Sequence, residues 1–277
     1  MRSSERLRRR LAAVLLGAAM LAGPALAEAP PQGAATPRRV VSMNLCTDQI
    51  AMLLAAPGQL VSVSDLARNP RMSAMADEAR GFAANHGRAE EIYLLRPDLV
   101  IAGAFASGPT VALLRRLGLR VEVLEPAESI AAIRAEIVHV GALLGRHEAA
   151  ADLLARFDRG VARSARREDR GRAALYYANG FTSGRDTLAG EILAQAGYRN
   201  IAADYGIATT THLPMELLVM AQPDRLITGA RWPGQSRGEA LLEHPALARA
   251  APRLAEVTDR DWVCGTPFIL RAIEALR

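Results

Sequence analysis

The sequence contains no lysine; all 34 of its basic residues are arginine, a bias that reflects composition rather than partners. Aromatic residues are scarce, 4% of 277, so those that fall in loops carry weight as contact candidates. Only two cysteines are present, Cys46 and Cys264, and no CxxC or HxxxH spacing marks a metal site. P-loop, strand-following GxGxxG, GxSxG and HExxH patterns are all missing, which removes the sequence-visible signatures of several enzyme classes. Beyond the N-terminus no segment is long and apolar enough for a membrane span, which needs ~20 residues.

What is there begins with a processing signal. Met1 to Arg10 holds five Arg and one Glu, Leu11 to Leu21 is apolar, and Ala25-Leu26-Ala27 is a small-x-small cleavage site. This three-part pattern predicts a secretory signal peptide over residues 1–27, cleaved near Ala27, and export to the periplasm. The formal charge of +5 then falls to about +1 in the mature chain, because the leader alone carries +4. The high isoelectric point therefore argues for neither nucleic acid nor a membrane surface. No cofactor is implied, and a monomer is expected.

From Arg38 short apolar strands alternate with helical stretches. Strands are expected at Val40–Met43, Leu60–Val63, Leu99–Ala102 and Val121–Leu124, with helices at Asp48–Ala56 and Val111–Leu117. Such alternation reads as a parallel α/β sheet. From Ser129 the pattern turns helical: Ser129 caps a helix through Leu144, Gly145 ends it, and a second helix runs from His147 to Arg167. Strands at Ala173–Tyr177, Leu226–Thr228 and Leu254–Val257 follow, with helices at Leu188–Ala196, Met215–Met220 and Pro267–Leu276.

An internal repeat ties the two halves together. Residues 90–103 read EEIYLLRPDLVIAG and residues 216–229 read ELLVMAQPDRLITG, in one ungapped register at an offset of 126. Pro-Asp is common turn chemistry before a strand, but shared Glu, Pro, Asp, Ile and Gly in one register points to a duplicated lobe.

Five segments in order, RRVVSMNLCTDQIAMLLA, GRAEEIYLLRPDLVIAG, FTSGRDTLAGEILAQAGYRNIA, MELLVMAQPDRLITG and TDRDWVCGTPFILRAIEAL, resemble the helical-backbone periplasmic binding proteins of ABC importers. That family includes vitamin B12, ferric siderophore and haem binders. The resemblance implies two doubly wound α/β lobes bridged by a long α-helix, with the ligand cleft between the lobes. It assigns residues 38–128 to the N-terminal lobe, 129–169 to a helical linker and 170–277 to the C-terminal lobe. It implies capture of a metal-chelate nutrient, a corrinoid, ferric siderophore or haem, and delivery to a permease dimer in the inner membrane. It also implies docking through one exposed Glu per lobe; the motif matches fall on Glu90 and Glu216, with Glu91 a local competitor for the first.

Ligands of doubly wound sheets sit beyond the carboxyl ends of the strands. Those loops carry Asn44, Cys46 and Asp48, then Phe105, then Asn179 and Phe181, then Arg231 and Trp232, and finally Asp261, Trp262 and Cys264. His86 precedes the first repeat Glu, and Thr211 and His212 precede the second. Aromatics suit flat or greasy chelates. In the vitamin B12 binders a cleft Trp stands where this chain has Gly103, and a basic residue stands where it has Phe268, whereas Asp261-Trp262 matches. Cys46 and Cys264 have three readings: a disulfide joining the lobes, soft metal ligands with His86 or His212, or unrelated buried residues. The rival functions are a periplasmic enzyme and a ligand sensor on the same two-lobed fold; Ser183 in FTSG has no sequence-visible His/Asp set to make it a nucleophile.

Overall fold

The computed structural model describes residues 35–165, 169–229, 236–250, 254–256 and 259–277, and the unit considered below is Thr36–Arg277. The expected signal peptide, Arg231 and Trp232 lie outside the described residues.

The first half is a five-stranded parallel sheet of β1 (Val40–Ser42), β2 (Leu60–Ser64), β3 (Ala83–Asn85), β4 (Leu99–Gly103) and β5 (Val121–Leu124), in the order β3-β2-β1-β4-β5. Its helices are α1 (Leu45–Leu54), α2 (Ala89–Leu94) and α3 (Gly108–Arg116). Two helices follow, α4 (Ile130–Leu143) and α5 (His147–Ser164). The second half contains β6 (Arg172–Leu175), β7 (Phe181–Ser183), β8 (Arg199–Asn200), β9 (Thr210–His212), β10 (Arg225–Thr228) and β11 (Leu254–Glu256). Its helices are α6 (Leu188–Gln195), α7 (Met215–Ala221), α8 (Arg237–Ala240), α9 (Pro245–Ala250) and α10 (Ile269–Ala275). Here β11-β10-β6-β8 form a parallel sheet, and β7 and β9 pair as an antiparallel ribbon.

Each sheet buries both faces because alternate strand residues point opposite ways. Val40, Leu99 and Ile101 pack with Ile50 and Leu54 of α1 and with Ile133 and Ile137 of α4. Val41, Val100 and Ala102 face Ile92 of α2 and Leu114 of α3. In the second sheet Leu175 and Ile227 pack with Ile192 of α6, Phe157 of α5 and Ile273 of α10. Tyr176 and Leu226 face Leu218 of α7. Helices on both faces of both sheets make two doubly wound lobes.

The α4–α5 bridge is built by its caps. Ser129 Oγ accepts from the Ala132 amide at 3.0 Å, and the Glu191 carboxylate of α6 accepts from the Ile130 amide at 2.6 Å, so the second lobe caps a helix that leaves the first. At the other end Arg146 N–H reaches Gly141 O and Gly145 N–H reaches Ala142 O, a Schellman closure that needs the left-handed φ of +66° at Gly145. Helix α5 stops at Ser164 where Ala165 turns extended (ψ 116°); the expected end at Arg167 lies outside the described residues. The short strands β3, β7, β8 and β9 were not foreseen, because two or three residues are too few to display a period of two.

The repeat is structural as well as textual. Arg96 and Gln222, 126 positions apart, both take left-handed φ values of 48° and 47°. Asp98 accepts from the Arg38 and Arg39 amides at 2.7 and 2.9 Å, and Asp224 accepts from the Arg172 amide at 2.7 Å. The Arg39 guanidinium donates to Leu95 O at 2.8 Å and that of Arg172 to Ala221 O at 2.7 Å. In each lobe the Pro-Asp carboxylate thus clamps the entry to the first strand while an Arg closes the preceding helix. Asp98→Ala and Asp224→Ala should each lower stability by about 1–2 kcal/mol, the cost of losing charge-assisted hydrogen bonds. Urea unfolding would register this as a lower midpoint at unchanged slope.

Candidate functional site

A cavity of about 650 Å³ opens between the lobes. The first lobe supplies Asn44, Cys46 and Thr47 beyond β1, Gly103 to Phe105 beyond β4, and Leu124 to Glu128 beyond β5. The second supplies Ser183 and Asp186 to Ala189 beyond β7, Thr209 and Thr210 on the ribbon, and Trp262, Val263 and Gly265. Glu136 reaches it from α4. Carboxyl ends of parallel strands are where doubly wound sheets leave such crevices.

The wall is shaped by close approaches. Asn44 caps α1, its Oδ1 accepting from the Cys46 amide at 3.0 Å, and its side chain lies over Gly103. A Cβ at Gly103 would come 2.8 Å from Asn44 Cγ, so this wall has no room for an aromatic at that position. A Cβ at Gly265 would come 2.2 Å from Ala127 O, which places the C-terminal loop directly on the β5–α4 loop.

Cys46 and Cys264 form a disulfide with Cα atoms 5.1 Å apart, joining loops of opposite lobes across 218 residues of chain. Their sulfurs are consumed by that bond, which overturns the metal-ligand reading and the unpaired one. Neither histidine offered as a metal partner joins them. His86 is exposed beyond β3 and outside the cavity lining, its amide and Nδ1 held by Glu91 at 2.7 and 3.2 Å. His212 sits on the ribbon, edge-on to Phe181 with ring centres 6.5 Å apart.

The other sequence candidates divide. Asn44, Cys46, Phe105 and Trp262 line the cavity, Phe105 at 86% exposure with Trp262 anchored on the core cluster. Asp48 does not: it is fully buried and accepts from the Ser64 amide and hydroxyl, tying α1 to β2, and burial pushes its carboxyl up to about 6. Asp261 is buried too, with Oδ1 3.7 Å from Arg271, and burial raises its carboxyl against the pull of Arg271 and Arg260. Phe181 is half-exposed on the ribbon but does not line the cavity, nor does Cys264, which reaches it only through its bond to Cys46. Both acids follow helix or turn geometry inward, which loop position alone does not reveal.

Sequence reasoning missed the acidic lining: Glu125, Glu128, Glu136 and Asp186. Glu136 had a readable signal, since it falls three residues after Ile133 and four before Val140, within the buried stripe of α4. Desolvation pushes its carboxyl up to about 7. Among the described lining residues there is no Arg or His.

Glu90 and Glu216 are exposed in the first turns of α2 and α7. Glu91 is taken up by His86, whose backbone amide holds its carboxyl below the usual range. Of the two neighbours, Glu90 is the one left to solvent.

A cavity with a mainly apolar wall and several carboxylates, at the strand ends of two lobes bridged by helices, defines a two-lobed solute-binding fold. A profile of periplasmic binding proteins matches residues 40–251. A cobalamin-binding protein of Halobacterium salinarum is 31% identical over 201 residues, 70% of this chain and 54% of that protein. The chain thus spans about half the length of the curated relatives it matches. The periplasmic heme-binding protein of Roseiflexus sp. RS-1 in apo form superposes with a TM-score of 0.69 at 24% identity, over 86% of this chain and 97% of that one. The vitamin B12 binding protein of Vibrio cholerae does so at 0.62 and 22%, over 87% and 95%. At these identities the likeness is one of fold. The chain belongs to the periplasmic binding protein family. Among the described residues no helix is long and apolar enough to cross a membrane.

Two outcomes follow from this geometry. Cys46→Ser with Cys264→Ser should cost about 5 kcal/mol, the loop-closure entropy of so long a loop, and wild-type protein under reductant should match it in urea unfolding. Glu136 keeps its proton in the folded state between its ordinary value near 4.5 and about 7. Stability should therefore be full below that window, fall as pH rises through it, and level off above. Glu136→Gln should remove the share of that fall due to Glu136, leaving the share of Asp48 below about 6, and gain about 2 kcal/mol at pH 8, read from unfolding curves across pH.

Proposed function

We propose that this chain is the solute-capturing component of an ABC importer. Exported by its leader, it holds a metal-chelate nutrient of the corrinoid, ferric-siderophore or haem class between its lobes and delivers it to an inner-membrane permease. The observation that carries this reading is the inter-lobe cavity, whose volume of about 650 Å³ suits a small-molecule guest. Phe105 and Trp262 give it flat apolar surface for a ring system. Membership of a family of binding proteins supports capture rather than turnover, and the cobalamin-binding relative supports a chelate as cargo. The acidic lining favours a guest without net negative charge, because anionic carboxylates would face Glu125, Glu128 and Asp186 in a partly desolvated space.

Glu90 and Glu216, one per lobe and exposed at equivalent repeat positions, serve as docking charges for cationic side chains of the permease. Native mass spectrometry and absorbance of protein purified from its own periplasm should reveal a coloured bound chelate; colourless protein that takes up neither hydroxocobalamin, ferrichrome nor haemin would refute the reading. Reversing both docking charges, Glu90→Arg with Glu216→Arg, should abolish cellular uptake of that chelate while leaving its affinity for the purified protein unchanged.

A further inference from the structure

Leu94 and Met220 are 78% and 75% exposed, more than any other large apolar residue among those described except Phe105 at the cleft. They stand 126 positions apart, at the same place in the repeat. Each lies four residues after its docking glutamate, on α2 and α7 respectively, so charge and apolar side chain share one helical face. The supports beneath are matched as well: left-handed Arg96 and Gln222, and the guanidinium groups of Arg39 and Arg172 on the helix-end carbonyls. A single exposed Leu needs no explanation. Two large apolar side chains at duplicated positions, each a turn from an exposed carboxylate, are a surface presented twice.

We propose that Leu94 and Met220 are paired apolar anchors which, with Glu90 and Glu216, form two equivalent docking patches for a partner made of two like subunits. Each subunit offers a cation to the glutamate and an apolar hollow to the anchor. Duplication is the argument for the partner's symmetry, since one lobe then engages one subunit in the same way as the other. Charge is the argument against a second copy of this chain as occupant, because patch-to-patch association would set glutamate against glutamate. The inference rests on the importer reading and adds an apolar contribution to its electrostatic one.

The test uses the full mature protein, loaded with its chelate, and the ABC permease–ATPase complex of its own organism in lipid nanodiscs. Leu94→Asn and Met220→Asn should each weaken binding to the nanodiscs roughly tenfold, the worth of burying one such side chain. The loss should persist at high salt, whereas that of Glu90→Gln with Glu216→Gln should shrink as salt screens the charges. Chelate affinity and thermal midpoint should not move in the asparagine variants, since both positions are exposed. Wild-type affinity in the Leu94→Asn, Met220→Asn double variant, alongside weakened binding of the glutamine pair, would overturn the anchors and leave the importer reading intact. Failure of the wild-type protein to bind the nanodiscs at all would remove the importer reading itself. A wild-type dimer in sedimentation velocity that the double variant converts to monomer would reassign the patches to self-association.

Discussion

One apolar cluster runs from the first sheet through the α4–α5 hairpin into the second sheet, and the cleft depends on it. Ile133 and Ile137 of α4 pack on Val40 and Ile101, while Phe157 of α5 belongs with Leu175 and Ile273. Among the described residues the lobes share no strand, so their relation is set by side chains rather than by a backbone ladder. Packed cores resist shear because every contact is made at close range. Moving one lobe against the other would disturb this cluster and the Glu191 cap on α4 together.

The disulfide adds a second constraint between the lobes. With Cys46 on the first lobe and Cys264 on the second, the loops they carry stay together for as long as the bond holds. Phe105, Glu125 and Thr209 line the same cavity as Cys46, Trp262 and Gly265. The same enclosure explains the electrostatics. Burial pushes the Glu136 carboxyl up to about 7. Charged groups on neighbouring elements are engaged elsewhere: Asp48 with Ser64, Asp158 with Arg134, Glu191 with Ile130.

Duplication organises the outer surface as it does the core. The strand order β2-β1-β4-β5 in one lobe recurs as β8-β6-β10-β11 in the other. The clamp of Pro-Asp on the first strand recurs with it, and it holds the short helices that present Glu90 with Leu94 and Glu216 with Met220. The inner faces have diverged more: the first lobe brings Asn44 and Phe105 to the cavity, the second a small antiparallel ribbon and Trp262.

Read alone, the sequence determined whatever depends on neighbours in the chain. Strand–helix alternation, the Ser129 cap, the Gly145 stop and the ungapped repeat are all local or periodic patterns, and each specified an element at about its observed place. Only the tertiary structure decided which loops face one another. It joined Cys46 to a residue 218 positions away, turned Asp48 and Asp261 inward, left His86 outside the cleft, and brought Glu136 into it. The physical reason is that a side chain's partners across a cleft follow from strand order, helix crossing and the packing of a shared core, and none of these leaves a mark on residues adjacent in sequence.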